Sequence, residues 1–233
     1  MQSISIKQET ACPYCGRKNT YTLWNLININ QAPFLRSNII DDEINVITCY
    51  GCNRVISCRA SYVYDDPKHE FAVLYIPADK VYSFRSITEK KPGLFYSKLR
   101  IVLSHCRLLE KIRINQSGLN DMAIEIGKLI NFSDSYDDNF SYAYSHKDND
   151  FLYFTKIDED RLKFMETKLY KMPMAVYDSV LTEEKYNTSP VAGKWKIVDE
   201  IYAIGELYGK ESKAKLISIY EEEYRLKLLD FWA

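Results

Sequence analysis

A chain of 233 residues with 46% hydrophobic and 14% aromatic content can bury one sizeable core or two small ones, which excludes the disordered and fibrous classes. No apolar run approaches the length of a membrane span, and Met1 to Glu9 carry no basic segment followed by an apolar stretch, so the expectation is a soluble, cytoplasmic chain without a membrane partner. The net charge of −1 hides an asymmetry: residues 1–132 hold 17 Lys and Arg against 12 Asp and Glu, whereas 133–233 hold 14 against 20.

Ile4 and Ile6 alternate with polar residues and lead into Cys12-Pro13-Tyr14-Cys15-Gly16, as a strand feeding a tight turn does. Asn19 to Asn30, rich in Tyr, Thr, Trp and Ile, reads as a longer second strand, and Pro33 opens a short helix to about Ile40. Val46-Ile47 then delivers the chain to Cys49-Tyr50-Gly51-Cys52-Asn53. From Arg54 to Tyr64 the pattern alternates as a single half-buried strand, and Asp65-Asp66-Pro67 turns it into a second strand from Phe71 to Ile76. Leu99, Val102, Leu103, Cys106 and Leu109 fall on one helical face, and a second helix fits Asn120 to Asn131. Residues 133–150 lose periodicity and turn acidic, which predicts an exposed loop and a boundary between a domain over 1–132 and an acidic mixed region over 133–233. Beyond it, Phe151 to Thr155 and Leu162 to Leu169 read as strands. Pro173 to Tyr186, Trp195 to Tyr208 and Glu211 to Asp230 read as helices.

Two CxxC turns thirty-three residues apart carry the strongest chemical signal. A CxxC turn sets two thiolates about one tetrahedral edge apart and aims its backbone N–H groups at the sulfurs, so Cys12, Cys15, Cys49 and Cys52 are the expected ligands of one structural Zn2+. Gly16 suits the left-handed position that closes the first turn, and Asn53 takes that place in the second. Iron bound as in rubredoxin uses the same ligands. A thioredoxin-like redox pair wants a helix after the CxxC, whereas strands follow here. Cys58 and Cys106 lie on apolar faces and read as core, and His105, next to Cys106 on a helix, points elsewhere.

This arrangement resembles the CpXC domain family, prokaryotic proteins named for their C-P-x-C motif, which stands here as Cys12-Pro13-Tyr14-Cys15. Trp24-Asn25-Leu26-Ile27-Asn28, the Pro33 to Ile40 helix, Tyr64-Asp65-Asp66-Pro67, Tyr75-Ile76-Pro77, Leu99-Arg100-Ile101-Val102 and Ser117-Gly118-Leu119-Asn120-Asp121 are similar to the family's recurring segments, over about residues 5–131. Tyr50 stands where the second knuckle often carries Pro. The resemblance implies a metal site and a fold, and it transfers no activity.

The expected fold class is therefore α+β, with zinc-ribbon-like β hairpins around a four-cysteine site, packed with helices, and a mixed α/β to helical C-terminal region. The leading functional expectation is a zinc-stabilised, non-enzymatic interaction protein with a protein partner, its acidic second half adapted to one system, such as a conflict or defence locus. The alternative is a nucleic-acid-binding protein using the basic and aromatic stretch from Lys80 to Arg113, with Lys80, Arg85, Lys90, Lys91, Lys98, Arg100, Arg107, Lys111 and Arg113 as phosphate contacts and Tyr82, Phe84, Phe95 and Tyr96 for stacking. Catalytic motifs are missing: there is no GxGxxG, GxSxG or HExxH. A metal-dependent nuclease built on Asp178, Glu183, Glu184 and Lys185 is a remote third reading.

Overall fold

The computed structural model describes residues 2–58, 60–77, 80, 92–132, 140–158, 163–164, 168–184, 186 and 188–209. Its larger sheet has six strands in the order β1 (Ile4–Ala11), β2 (Lys18–Asn28), β5 (Tyr62–Asp66), β6 (Phe71–Tyr75), β7 (Lys98–Val102) and β12 (Trp195–Lys196). The β1/β2 and β5/β6 pairs are antiparallel hairpins, while β2/β5, β6/β7 and β7/β12 are parallel. A separate two-stranded ribbon, β3 (Val46–Thr48) and β4 (Val55–Ser57), carries the second CxxC at its turn. A smaller antiparallel sheet joins β8 (Phe140–Lys147), β9 (Phe151–Asp158) and β11 (Tyr170–Pro173), with β10 (Lys163–Phe164) on the far end of β9. Five α-helices complete the described chain: α1 (Leu35–Ile40), α2 (His105–Gln116), α3 (Asp121–Phe132), α4 (Met174–Thr182) and α5 (Glu200–Tyr208).

The centre of the larger sheet is covered on both faces, because successive strand residues point to opposite sides. Val63, Ala72, Leu74, Leu99 and Ile101 join the main hydrophobic cluster with α3, the smaller sheet, α4 and α5. Tyr62, Tyr64, Phe71 and Val73 pack instead with Ile27, Leu35, Ile39 and Leu109, which brings α1 and α2 to the other face. The resulting α+β architecture with a cysteine cluster on β hairpins is the fold class expected from the sequence.

Four local expectations change. Arg54 to Tyr64 is not one strand: β4 belongs to the ribbon and β5 to the large sheet. Residues 98–102 form β7, and the helix begins only at His105, capped by the Ser104 hydroxyl, which accepts from the Arg107 N–H at 3.3 Å. A strand buried on both faces gives a nearly continuous apolar run, which periodicity does not separate from a buried helix. Within 133–150, residues 140–147 form β8, where Tyr142, Ala143 and Tyr144 are fully buried. Trp195 starts a short strand, and the helix opens at Glu200. The helix expected over Glu211 to Asp230 lies outside the described residues.

The division near residue 132 is not one between separate cores in space. β12 extends the sheet built by the first half, and Tyr142, Phe154, Met172 and Trp195 share a cluster with Leu26, Leu74 and Met122.

Candidate metal centre

The two knuckles have the same backbone wiring. The Cys12 N–H donates to the Arg17 carbonyl at 2.8 Å and the Gly16 N–H to the Cys12 carbonyl at 2.9 Å. At the second turn, Cys49 donates to Arg54 at 2.9 Å and Asn53 to Cys49 at 2.9 Å. Each turn closes through a left-handed residue, Gly16 at φ 73° and Asn53 at φ 59°. This geometry also repeats at the sulfurs: the Tyr14 N–H points at Cys12 Sγ from 3.4 Å, and the Gly51 N–H at Cys49 Sγ from 3.3 Å.

Folding brings all four sulfurs within 4.8 Å of one another, with Cys12 to Cys52 and Cys15 to Cys49 each at 3.6 Å. A tetrahedron of Zn–S bonds of about 2.3 Å has edges of roughly 3.8 Å, so the donor set fits a four-coordinate ion. Cys12 and Cys49 are buried against Ile56, and Cys15 is exposed. Among the described residues this is the cluster of Cys, His, Asp or Glu side chains placed to share an ion.

The free thiols are electrostatically unequal. Burial opposes ionisation of Cys49, yet the N–H groups of Gly51 and Cys52 and the Asn19 amide outweigh it and hold the pKa at about 6. At Cys15 the Arg17 N–H favours the thiolate, but burial and the neighbouring sulfurs raise the pKa to about 11. Cys49 is thus favoured over Cys15 to carry the negative charge, and thiols that hold a proton lose it as a cation binds.

Sequence reading missed Asn19. It is 1% exposed and its amide donates to Cys49 Sγ at 3.5 Å and to the Arg17 carbonyl at 2.8 Å, while its carbonyl accepts the Tyr50 N–H at 2.9 Å. One side chain therefore joins the first knuckle to the second. The available signal was a polar residue at an inward position of β2, two and four places before Tyr21 and Leu23.

A family model described as CpXC protein matches residues 10–128, half of the chain. The chain belongs to the CpXC family. No curated protein and no solved structure matches it.

In this CpXC protein, among the described residues, several of the basic side chains expected to meet phosphate are turned inward. Arg85, Lys90 and Lys91, with Tyr82 and Phe84, lie outside the described residues; Lys80 is half-buried. Arg100 is 2% exposed and holds Asp121 in a two-point contact, Nε to Oδ2 at 2.6 Å and Nη2 to Oδ1 at 2.8 Å. Lys111 is equally buried and bonds Glu125 at 2.9 Å. Arg107 reaches Glu110 at 3.1 Å and the Ser141 hydroxyl at 2.9 Å. Lys98 is half-buried and donates to Asn115 at 3.4 Å, and Arg113 is half-buried. Arg100 and Lys111 are thereby corrected from surface contacts to interior ion pairs, since a buried cation is kept where a carboxylate compensates it.

The remaining candidates are scattered. Asp178, Glu183 and Glu184 are exposed on or just after α4, and Lys185 lies outside the described residues. Cys106 is buried with Ala143 and Ile157; Cys58 is half-buried beside the metal cluster, where burial raises its thiol pKa. His105 Nε2 donates to the Ile39 carbonyl at 2.6 Å, tying α2 to α1. Among the described residues no helix is long and apolar enough to cross a membrane.

Proposed function

We propose that this chain is a structural zinc protein without catalytic activity, whose metal-stapled knuckles present a docking surface to a protein partner in the cytoplasm. The observation that carries the reading is a closed set of four thiolates with large apolar side chains exposed around it. A site closed by four cysteines has no vacant position for a substrate. Around it, Tyr14 is 58% exposed, Tyr50 75% and Val55 62%, and the Arg54 guanidinium sits 4.6 Å from the centre of the Tyr14 ring. Exposed aromatics with a cation beside them are the residue types that anchor protein interfaces. Six cysteines without a disulfide suit a reducing compartment.

The nucleic-acid alternative loses support from the ion pairs of Arg100, Arg107 and Lys111, which are satisfied inside the protein.

Metal analysis should return one zinc per chain, with iron revealed by visible absorption. A Tyr14→Ala/Tyr50→Ala variant should keep its zinc and its fold and lose the partner that co-purifies with the wild-type chain. A Cys49→Ser protein that stays folded and keeps that partner would falsify the structural role of the metal.

A further inference from the structure

β1 is the outermost strand of the larger sheet, and one of its edges has no neighbour among the described strands. Every residue of Ile4–Ala11 is exposed except half-buried Thr10. A bare edge of this length is a template for another strand.

Contacts at its two ends show which backbone groups face outward. The Cys12 N–H donates to the Arg17 carbonyl, so position 12 bonds inward, toward the strand that follows the knuckle. At the other end, Trp24 is the register partner of Ser5, and both its N–H and its carbonyl are taken by the Asn45 side chain, away from β1. Antiparallel ladders alternate between bonded and non-bonded pairs. Ile6, Gln8 and Thr10 therefore bond β2, and Ser5, Lys7, Glu9 and Ala11 turn their N–H and C=O groups to the open edge.

A second copy approaching antiparallel must set outward residues against outward residues, which restricts the register to steps of two. Over the outward positions Ser5 to Ala11, whose midpoint is Gln8, the three most central registers place Lys7 against Lys7, Lys7 against Glu9, or Glu9 against Glu9. The first and third oppose like charges. The middle one puts its two-fold axis at Gln8, forms the Lys7–Glu9 pair twice and lays Ile6, 43% exposed, over Thr10 of the second copy. Lysine alone is a common guard against edge pairing. Here Glu9, two residues on and on the same face, turns the guard into a register selector.

We infer that β1 is a homodimerisation edge, pairing antiparallel with β1 of a second copy about Gln8 so that the two six-stranded sheets become continuous. The interface is isologous and held by main-chain bonds, with Lys7 and Glu9 choosing the register.

Sedimentation velocity of the full zinc-loaded chain over a range of concentrations tests this. A dimer is expected. Lys7→Glu and Glu9→Lys should each weaken association by about tenfold, and the double exchange Lys7→Glu/Glu9→Lys should bring it back to within about threefold of wild type. Lys7→Pro removes an outward N–H and the Lys7 Nζ bond to the Thr22 hydroxyl at 2.8 Å while sparing the β1/β2 backbone ladder, so it should abolish association while zinc content and far-UV circular dichroism stay unchanged. A chain that is monomeric at every concentration overturns the inference. So does a dimer indifferent to both the charge reversals and the proline, which would use another surface.

Discussion

Asn19 shows how a neutral side chain governs a charged centre. Its amide proton stabilises the Cys49 thiolate, and its carbonyl holds the Tyr50 N–H, so one substitution loosens a sulfur and a knuckle together. Residues that orient metal ligands typically change affinity by about 10- to 100-fold. Asn19→Ala is expected to weaken zinc in that range, measured by competition with a chromophoric chelator, and Asn19→Asp to weaken it further because it sets a carboxylate beside the sulfurs. Binding should weaken for every variant as pH falls, because protons compete for the thiolates. Two glycines in the knuckles separate strain from crowding. Gly16 sits at φ 73°, which a side chain resists by about 1 kcal/mol or more, so Gly16→Ala should lower stability by that order. At Gly51 the added carbon would meet Arg17 Cδ at 2.9 Å, which can swing aside, and Arg17 Cβ at 3.2 Å, which is fixed to the backbone, so Gly51→Ala should destabilise by crowding the first knuckle. Chemical denaturation of the zinc-loaded forms measures both.

Between elements, the interior is laced by alternating charges. Arg100 on β7 holds Asp121; Lys111 on α2 reaches Asp121 at 3.5 Å and Glu125 at 2.9 Å. Lys128 pairs with Glu125 and with Glu110 at 3.1 Å, and Glu110 accepts the Tyr144 N–H of β8 at 2.9 Å. Burial alone would raise the Glu110 carboxyl, but Lys128, Arg107 and Lys111 bring it down to about 2; burial likewise opposes Asp121, and Arg100 and Lys111 hold it well below the carboxylate range. Depressed carboxylates contribute stability above their unfolded values, near 4, and lose it as pH falls through the folded ones. Acid unfolding should therefore sharpen below about pH 4, with stability flat from there to neutrality as far as these groups are concerned, followed by circular dichroism. Removing one partner is more severe than removing both. Asp121→Asn leaves Arg100 and Lys111 undercompensated and should destabilise by about 3–5 kcal/mol in urea titrations, whereas an apolar replacement of Arg100 and Asp121 together should cost far less. This network explains why the basic stretch is misleading when read linearly. Counting charges from Lys80 to Arg113 stops short of Asp121 and Glu125, the carboxylates that pair with Arg100 and Lys111 across space. The cysteine turns were legible because their chemistry is local: spacing, Gly16 and Asn53 all act within five residues.

At the scale of the molecule, the apparent break after residue 132 is compositional and not spatial. The acidic stretch hides β8, whose Tyr142 ring stacks on Phe132 at 4.3 Å and whose Tyr142 carbonyl takes the Lys128 ammonium at 2.8 Å. β12 is only two residues long and gives no period of its own, yet it pairs with Leu99 and Arg100 at the margin of the sheet. Short strands and buried tyrosines are set by what they pack against, which one chain read linearly does not display. A fragment ending at 132 would keep the metal ligands, α1, and the face of the sheet covered by α2. It would lose the apolar cover over Met122, Ala123, Ile126, Leu129 and Phe132, and leave Lys128 and Glu110 without Tyr142 and Tyr144. The knuckles are stapled locally and should still bind zinc stoichiometrically. The helices should not hold native packing: the fragment is expected to bind a hydrophobic dye, to unfold at much lower urea than the full chain, and to lose tertiary circular dichroism. If instead it unfolds cooperatively at the full-length midpoint, residues 133–233 are an appendage and the shared cluster contributes nothing to the stability of the first half.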